Sequence, residues 1–306
     1  MDIKSILESA LELDIPLDIP GGDMPGDRIN VSEAAIRQAK TLLPDLLLLL
    51  EETFGKNDCE KAVISIAGGS GAGKSVIASV LAYMLNQSGT GCYLMSGDNY
   101  PLRIPAENDA ERLRIFRNGG IKALRDADLL TAGVVESVRV LQKTEKDADP
   151  SVSEKFKWFE TYIKGGEAAL SRYIGTPCEQ DYSEINSIIN SFKNGSKQIW
   201  FKRMGRDNTA LWYDKLDMSD KKILILEWTH ASNENVKNTD IPIFLRSTPE
   251  ETLEYRMLRA RDSGADSPFT TMVLGIEQKL LDESAKRAKI ILTRNGKLIE
   301  YKDYFN

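Results

Sequence analysis

The sequence predicts an α/β fold: a three-layer sandwich on a mostly parallel sheet, with a helical N-terminal extension and a helical insertion. Three observations carry this expectation. Short, wholly apolar runs recur along the chain, as strands buried on both faces require. Apolar residues between those runs repeat at helical spacing. One run leads straight into a glycine-rich octapeptide that opens a helix, Gly68-Gly69-Ser70-Gly71-Ala72-Gly73-Lys74-Ser75.

Taken in order, the N-terminus mixes acids with apolar residues and lacks a basic leader, so it does not read as a signal peptide. Residues 14–27, rich in Pro, Gly and Asp, read as an irregular connection. A helix is expected from an N-cap at Ser32 through residue 50, its leucines packing on the main domain or, alternatively, binding a partner. The apolar run 46–50 is too short to span a bilayer, and Glu51 and Glu52 close it. Strands are expected at 62–67, 93–95, 223–226, 241–245 and 289–292, with a helix after the first that stops near Gly89. From 105 to 181 the strand signal disappears, and 109–116 and 153–173 carry helical patterns. The expected division is therefore a loop and helical extension, 1–60, and a nucleotide-binding domain, 61–306, with a helical insertion at about 105–180.

A chain of 306 residues, 42% hydrophobic and 28% charged, has the composition of a soluble globular protein with one substantial core. A net charge of -6 and a pI near 5.2 argue against a nucleic-acid partner. Cys59, Cys92 and Cys178 form no C-x-x-C pair, which favours reduced thiols and a cytoplasmic setting, with no membrane association. Whether the chain forms a homodimer is left open.

The octapeptide satisfies G-x-x-x-x-G-K-[ST], the phosphate-binding P-loop, and sits between a strand and a helix as that loop must. Glycines at 68, 69, 71 and 73, with Ser70 and Ala72, let backbone N–H groups turn inward around phosphate oxygens. Lys74 can reach the outer phosphates and the Ser75 hydroxyl can ligate Mg²⁺. The loop alone serves kinases, switch GTPases and motor ATPases. The guanine-reading N-K-x-D tetrapeptide of GTPases is absent.

Asp98, in Ser96-Gly97-Asp98-Asn99-Tyr100, follows the second strand and should face the ligand crevice. There a carboxylate can accept a proton from an attacking hydroxyl or help hold Mg²⁺ through water; a turn or cap role is the alternative. Glu227, closing the strand at 223–226, has the position of a metal-organising carboxylate; capping of the next segment is the alternative. Tyr100 and Arg103 are candidate acceptor contacts. So are Arg203 and Arg206 in Lys202-Arg203-Met204-Gly205-Arg206, where a surface loop is the competing reading. Arg256, Arg259 and Arg261 cover more than one helix face; a lid arginine there can neutralise charge developing between donor and acceptor. His230, the only histidine, stays outside the catalytic set.

Over roughly 61–105 and from 181 onward, the chain resembles the uridine kinase and phosphoribulokinase group of P-loop kinases. The carriers are the G-G-S-G-A-G-K-S loop, the Asp98/Tyr100 pair (similar to that group's D-x-[FY] motif), Asp181 to Ile185, Phe192 to Gly195, Glu227 and the 259–262 lid segment. Trp228 stands where the group has glycine. The resemblance implies a P-loop NTPase fold and an ATP- and Mg²⁺-dependent kinase acting on a hydroxyl of a small nucleoside or sugar-like acceptor. It makes Asp98 the general base, gives Lys74 and Ser75 the phosphates and Mg²⁺, and puts Arg261, with Arg259, in the lid. Leu94 to Asn99 and Glu107 to Arg112 are similar, over a shorter stretch, to adenylylsulfate kinases, which implies that acceptor as the alternative. A nucleotide-dependent regulatory switch, with a partner docked on the leucine-rich helix, is the alternative of another class.

Overall fold

Five runs without exposed polar faces assemble into one parallel sheet. The computed structural model describes residues 3–27, 29–56, 59–205, 207, 209–258 and 267–305. The strands are β1 (Ala62–Gly68), β2 (Cys92–Ser96), β3 (Gln198–Met204), β4 (Leu211–Asp217), β5 (Ile223–Glu227), β6 (Ile241–Arg246), β7 (Ile290–Thr293) and β8 (Leu298–Ile299). The main sheet runs β2-β5-β1-β6-β7-β8, parallel throughout except for β8. β3 and β4 form a separate antiparallel ribbon. In this order β5 lies between β1 and β2, with Glu227 opposite both Ile66 and Ser96. The carboxyl ends of three strands therefore converge, and chain order reverses there, the place where open α/β sheets bind ligands.

Alternation along β1 makes the three layers. Ile64 and Ile66 join a core with α1 (Ile3–Glu12), α2 (Glu33–Phe54) and α3 (Lys74–Gln87). Val63 and Ala67 face a second core, built with the helices Tyr182–Lys193 and Pro268–Ala285 and with the ribbon. Ser32 caps α2 as expected, its hydroxyl accepting from the Ala35 amide at 3.2 Å. Leu42, Leu43, Leu46, Leu47 and Leu50 are fully buried, so the leucine face is a packing face. No helix among the described residues is long and apolar enough to cross a membrane.

The helical stretch comprises α4 (Pro105–Asp126), α5 (Ala132–Lys143) and α6 (Phe159–Ser171), followed by α7 (Tyr182–Lys193), α8 (Pro249–Leu258) and α9 (Pro268–Ala285). α6 starts later than the pattern over 153–173 suggests. A 3₁₀ turn at Pro150–Glu154 precedes it, and Phe156 and Trp158 pack ring on ring at 5.2 Å to form a corner. The ribbon goes beyond the expected elements, because β4 is exposed at most positions, with only Asp214 and Leu216 partly buried.

α4 and α6 cross at paired glycines. A Cβ on Gly119 would lie 2.4 Å from the Ala169 methyl and 2.6 Å from the Gly165 carbonyl; one on Gly166 would lie 2.4 Å from the Phe116 ring. Only bare backbone permits this approach. Gly275, in α9, faces open space instead. The same substitution should therefore have opposite signs at the two places. Gly275→Ala is expected to stabilise by up to about 1 kcal/mol through helix propensity, whereas Gly119→Ala is expected to destabilise by about 1–3 kcal/mol through overpacking. Urea unfolding measures both, and equal signs would refute the close crossing.

Candidate active site

The convergence of β1, β2 and β5 brings together the P-loop, Asp98 and Glu227, which are far apart in sequence. Gly73 takes φ 91° at the N-cap of α3, a conformation open to glycine without strain, and Lys74 begins the helix. A side chain on Gly68 would meet the Leu245 carbonyl at 2.6 Å, so the cradle has room for backbone only. The Lys74 ammonium donates to the Gly69 carbonyl at 3.0 Å, curled over the loop.

Glu227 is buried beside this loop. Loss of solvent pushes its carboxyl up to about 7; Lys74 and a hydrogen bond from Ser75 pull the other way, while Asp98 and Asp27 push it further up. Glu227 is thus a buried acid next to an ammonium, a hydroxyl and a second carboxylate. The oxygen donors of this set fit Mg²⁺, which is commonly held by one or two carboxylates together with nucleotide phosphates. Among the described residues no cluster of three His, Cys, Asp or Glu side chains could hold a metal without such help.

Asp98 itself is exposed, while its neighbours Gly97, Asn99 and Tyr100 are buried. The turn is gripped from behind by Asp23, which lies in the supposed connection. The Asp23 carboxylate accepts from the Ser96 amide (2.7 Å), the Tyr93 hydroxyl (2.7 Å) and the Asn99 amide group (3.0 Å). It also pairs with Arg203 at 2.8 Å, both side chains under one-tenth exposed. Burial pushes the Asp23 carboxyl up against the pull of Arg203. On the ribbon side, the Met204 amide donates to Asn99 at 3.0 Å. Trp228 packs over Gly97, where any Cβ would lie 2.2 Å from the indole, which accounts for the tryptophan after Glu227.

The other expected acceptor contacts lie elsewhere. Arg203 is committed to Asp23, to Tyr93 (3.0 Å) and to Asp214 (2.9 Å), a supporting role in place of the expected ligand contact. Tyr100 is fully buried in the second core. Arg103 donates to the Tyr173 hydroxyl at 3.0 Å at the root of the α4–α6 arm. Arg206, Arg259 and Arg261 lie outside the described residues. His230 is buried against Trp228, and burial lowers its pKa, which favours the neutral ring.

What sequence reading missed is the opposite wall. A cavity of about 610 Å³ opens between the P-loop and the arm. Ser70, Asp98 and Thr229 line its floor, and Asp109, Arg112, Leu113 and Arg117 of α4 its wall. Those α4 positions recur at three- and four-residue intervals and so share one helix face. Arg112 pairs with Glu179 (2.6 Å) and Glu277 (3.0 Å), and Arg117 with Asp147 (2.8 Å). The glycine pairs at 119–120 and 165–166 are the sequence signal that α4 stands upright beside the site.

A phosphate loop at the head of α3, facing a buried carboxylate across the switch point of a parallel sheet, defines a P-loop nucleotide-binding protein. Within that class, its sequence relatives are kinases. The adenylylsulphate kinase family profile matches residues 60–125. The bifunctional alpha-galactosidase/sucrose kinase of Mediterraneibacter gnavus is 33% identical over 240 residues, covering 78% of this chain and 21% of that protein. Adenylyl-sulfate kinase 1, chloroplastic, of Arabidopsis thaliana is 33% identical over 113 residues, covering 35% of this chain and 39% of that protein. The chain thus spans about a fifth of the first relative and two-fifths of the second. Among solved structures, phosphoribulokinase from Rhodobacter spheroides superposes at TM-score 0.47 and 13% identity, covering 77% of this chain and 71% of that one.

Two measurements check the site's electrostatics. The raised carboxyl of Glu227 contributes stability below about pH 4.5 that is lost as pH rises through about 7. Glu227→Gln should therefore match the parent's thermal midpoint at pH 5 and exceed it at pH 8, both without nucleotide; a gap independent of pH would count against the buried acid. Asp23→Ala should cost about 3 kcal/mol in urea unfolding by leaving Arg203 buried without its main partner. Adding Arg203→Met should restore part of that loss.

Proposed function

We propose that the protein is an ATP- and Mg²⁺-dependent kinase that transfers the γ-phosphoryl group to a hydroxyl of a small, sugar-like or nucleoside-like acceptor. The observation that carries this reading is the exposure of Asp98 into a cavity of about 610 Å³ that also opens on Ser70 of the phosphate loop. A carboxylate between a phosphate cradle and an acceptor-sized space suits proton removal from an attacking hydroxyl.

In this reading the backbone of residues 68–75 and the Lys74 ammonium hold the β- and γ-phosphates. Ser75 and Glu227, with Asp98 near by, would hold Mg²⁺, which supplies charge neutralisation between the phosphates. Asp98 accepts the hydroxyl proton, and its fixed turn keeps the carboxylate aimed, so rate comes from positioning and electrostatics. The assignment of Arg259 and Arg261 to a closing lid rests on the sequence alone. A cytoplasmic setting, where ATP is supplied and the exposed thiols of Cys59 and Cys178 stay reduced, fits the same reading.

The sucrose kinase relative points toward a sugar acceptor. The likeness to adenylyl-sulfate kinase over residues 60–125 makes adenylylsulfate the second reading. The regulatory switch is disfavoured, because the leucines offered as its docking face are buried.

Asp98→Ala is expected to lower turnover by about 10²- to 10⁴-fold while nucleotide-induced thermal stabilisation stays within error of the parent. A coupled ADP-release assay across nucleosides, sugars and adenylylsulfate reads the first, differential scanning fluorimetry the second. Undiminished turnover in the variant would remove Asp98 as base.

A further inference from the structure

The charges lining the acceptor cavity are unevenly distributed. Among its described lining residues, five carboxylates (Asp98, Asp109, Glu145, Asp147 and Glu277) face two guanidiniums, Arg112 and Arg117, and no lysine or histidine. Neither guanidinium is available as a bare positive charge. Arg117 is gripped by both oxygens of Asp147, at 2.8 and 3.0 Å, and Asp147 is buried and further held by the Tyr162 hydroxyl at 3.2 Å. Arg112 lies between Glu179, wholly buried, and Glu277.

Such pairing changes what the arginines can recognise. A guanidinium with its charge matched by a bidentate carboxylate has little left to attract a phosphate or sulfate, and the exposed carboxylate of Glu145, beside Arg117 in the cavity lining, repels either. It retains N–H donors in a fixed fork. Arg117 commits Nε and Nη2, and its Nη1 has no hydrogen-bond partner among the described residues, while the side chain is 28% exposed. Fixed N–H donors beside carboxylate acceptors suit groups that donate and accept at once, which hydroxyls do. Phe269, which also lines the cavity, adds an apolar ring surface, packed at 5.6 Å on Phe116. A ring face bordered by hydroxyl-matching groups is how the C–H face and the rim of a sugar are met together.

We infer that Arg117, oriented by Asp147, and Arg112, oriented by Glu179 and Glu277, are the acceptor-specificity residues, and that they admit an uncharged polyhydroxylated acceptor while excluding a phosphorylated or sulfated one. The inference rests on the kinase reading only in taking this cavity as the acceptor's. Adenylylsulfate is thereby disfavoured, despite the match over residues 60–125. That match ends inside α4 and contains neither Asp147, Glu179 nor Glu277, so it does not cover the carboxylates that neutralise the wall.

The test is calorimetric titration of the full chain, loaded with Mg²⁺ and a non-hydrolysable ATP analogue. The ligands are neutral mono- and disaccharides, their phosphorylated counterparts and adenylylsulfate. At least one neutral sugar should bind ten or more times tighter than its phosphorylated form. Arg117→Lys, which keeps the charge and removes the fork, should weaken that sugar by about 10- to 100-fold with nucleotide-induced stabilisation unchanged. Glu145→Lys, on the exposed rim, should narrow the gap between neutral and phosphorylated sugar without requiring any buried change. A phosphorylated sugar or adenylylsulfate binding as tightly as every neutral sugar would overturn the inference. So would unchanged sugar affinity in Arg117→Lys, or no acceptor binding at all. Tight binding of a neutral sugar without phosphoryl transfer would instead sink the kinase reading and leave the specificity assignment standing.

Discussion

A buried charge pair, Asp23 with Arg203, anchors the part of this molecule on which its chemistry depends. Either charge alone would be costly in the interior; together, with the Ser96 amide, the Tyr93 hydroxyl and the Asn99 side chain filling the remaining lone pairs, they are tolerated. The pair ties three separate stretches of chain to one point: the N-terminal segment, the β3–β4 ribbon and the turn that carries Asp98. Because Ser96 and Asn99 flank Asp98, the exposed carboxylate is aimed by residues it never touches. Residues before 61 therefore belong physically to the site.

The sheet adds a second constraint. Strand order puts Glu227 next to the phosphate loop, where burial first, and the nearness of Asp98, push its carboxyl up. The floor of the site is thus divided. Toward the loop lie Lys74, the head of α3 and inward-facing amides, which favour anions. Toward the arm lie carboxylates and neutralised guanidiniums.

Much of this was legible in the sequence, for a local reason. Each sheet strand is a run of apolar residues, and the phosphate loop, Asp98 and Glu227 sit at strand ends that the pattern itself marks. Asp23 was not legible. It sits among Pro, Gly and Asp residues where an aspartate is unremarkable, and its partner is 180 positions away. Arg203 was visible as a basic residue, but not its burial, which only the ribbon creates. The arm's wall was hidden likewise: Arg112 meets Glu179 only after the chain has passed through α5 and α6, and Glu277 only in α9. Spacing within α4 reveals a face but not what it faces. The β4 strand failed for a different reason, since Leu211, Trp212 and Tyr213 are all exposed and follow no apolar–polar alternation.

The paired glycines of α4 and α6 have a mechanical consequence. Two helices in backbone contact along a shared seam form a bar that resists bending. Its roots are a bridge between Pro101 and Gln180, the Leu102 amide on the Glu179 carbonyl, and the Asp181 amide on the Tyr100 carbonyl, while its flank shares a core with Val273 and Ile276 of α9. Tyr100 lies two residues from Asp98. The arm's roots thus join the chain beside the turn that carries the exposed carboxylate of Asp98.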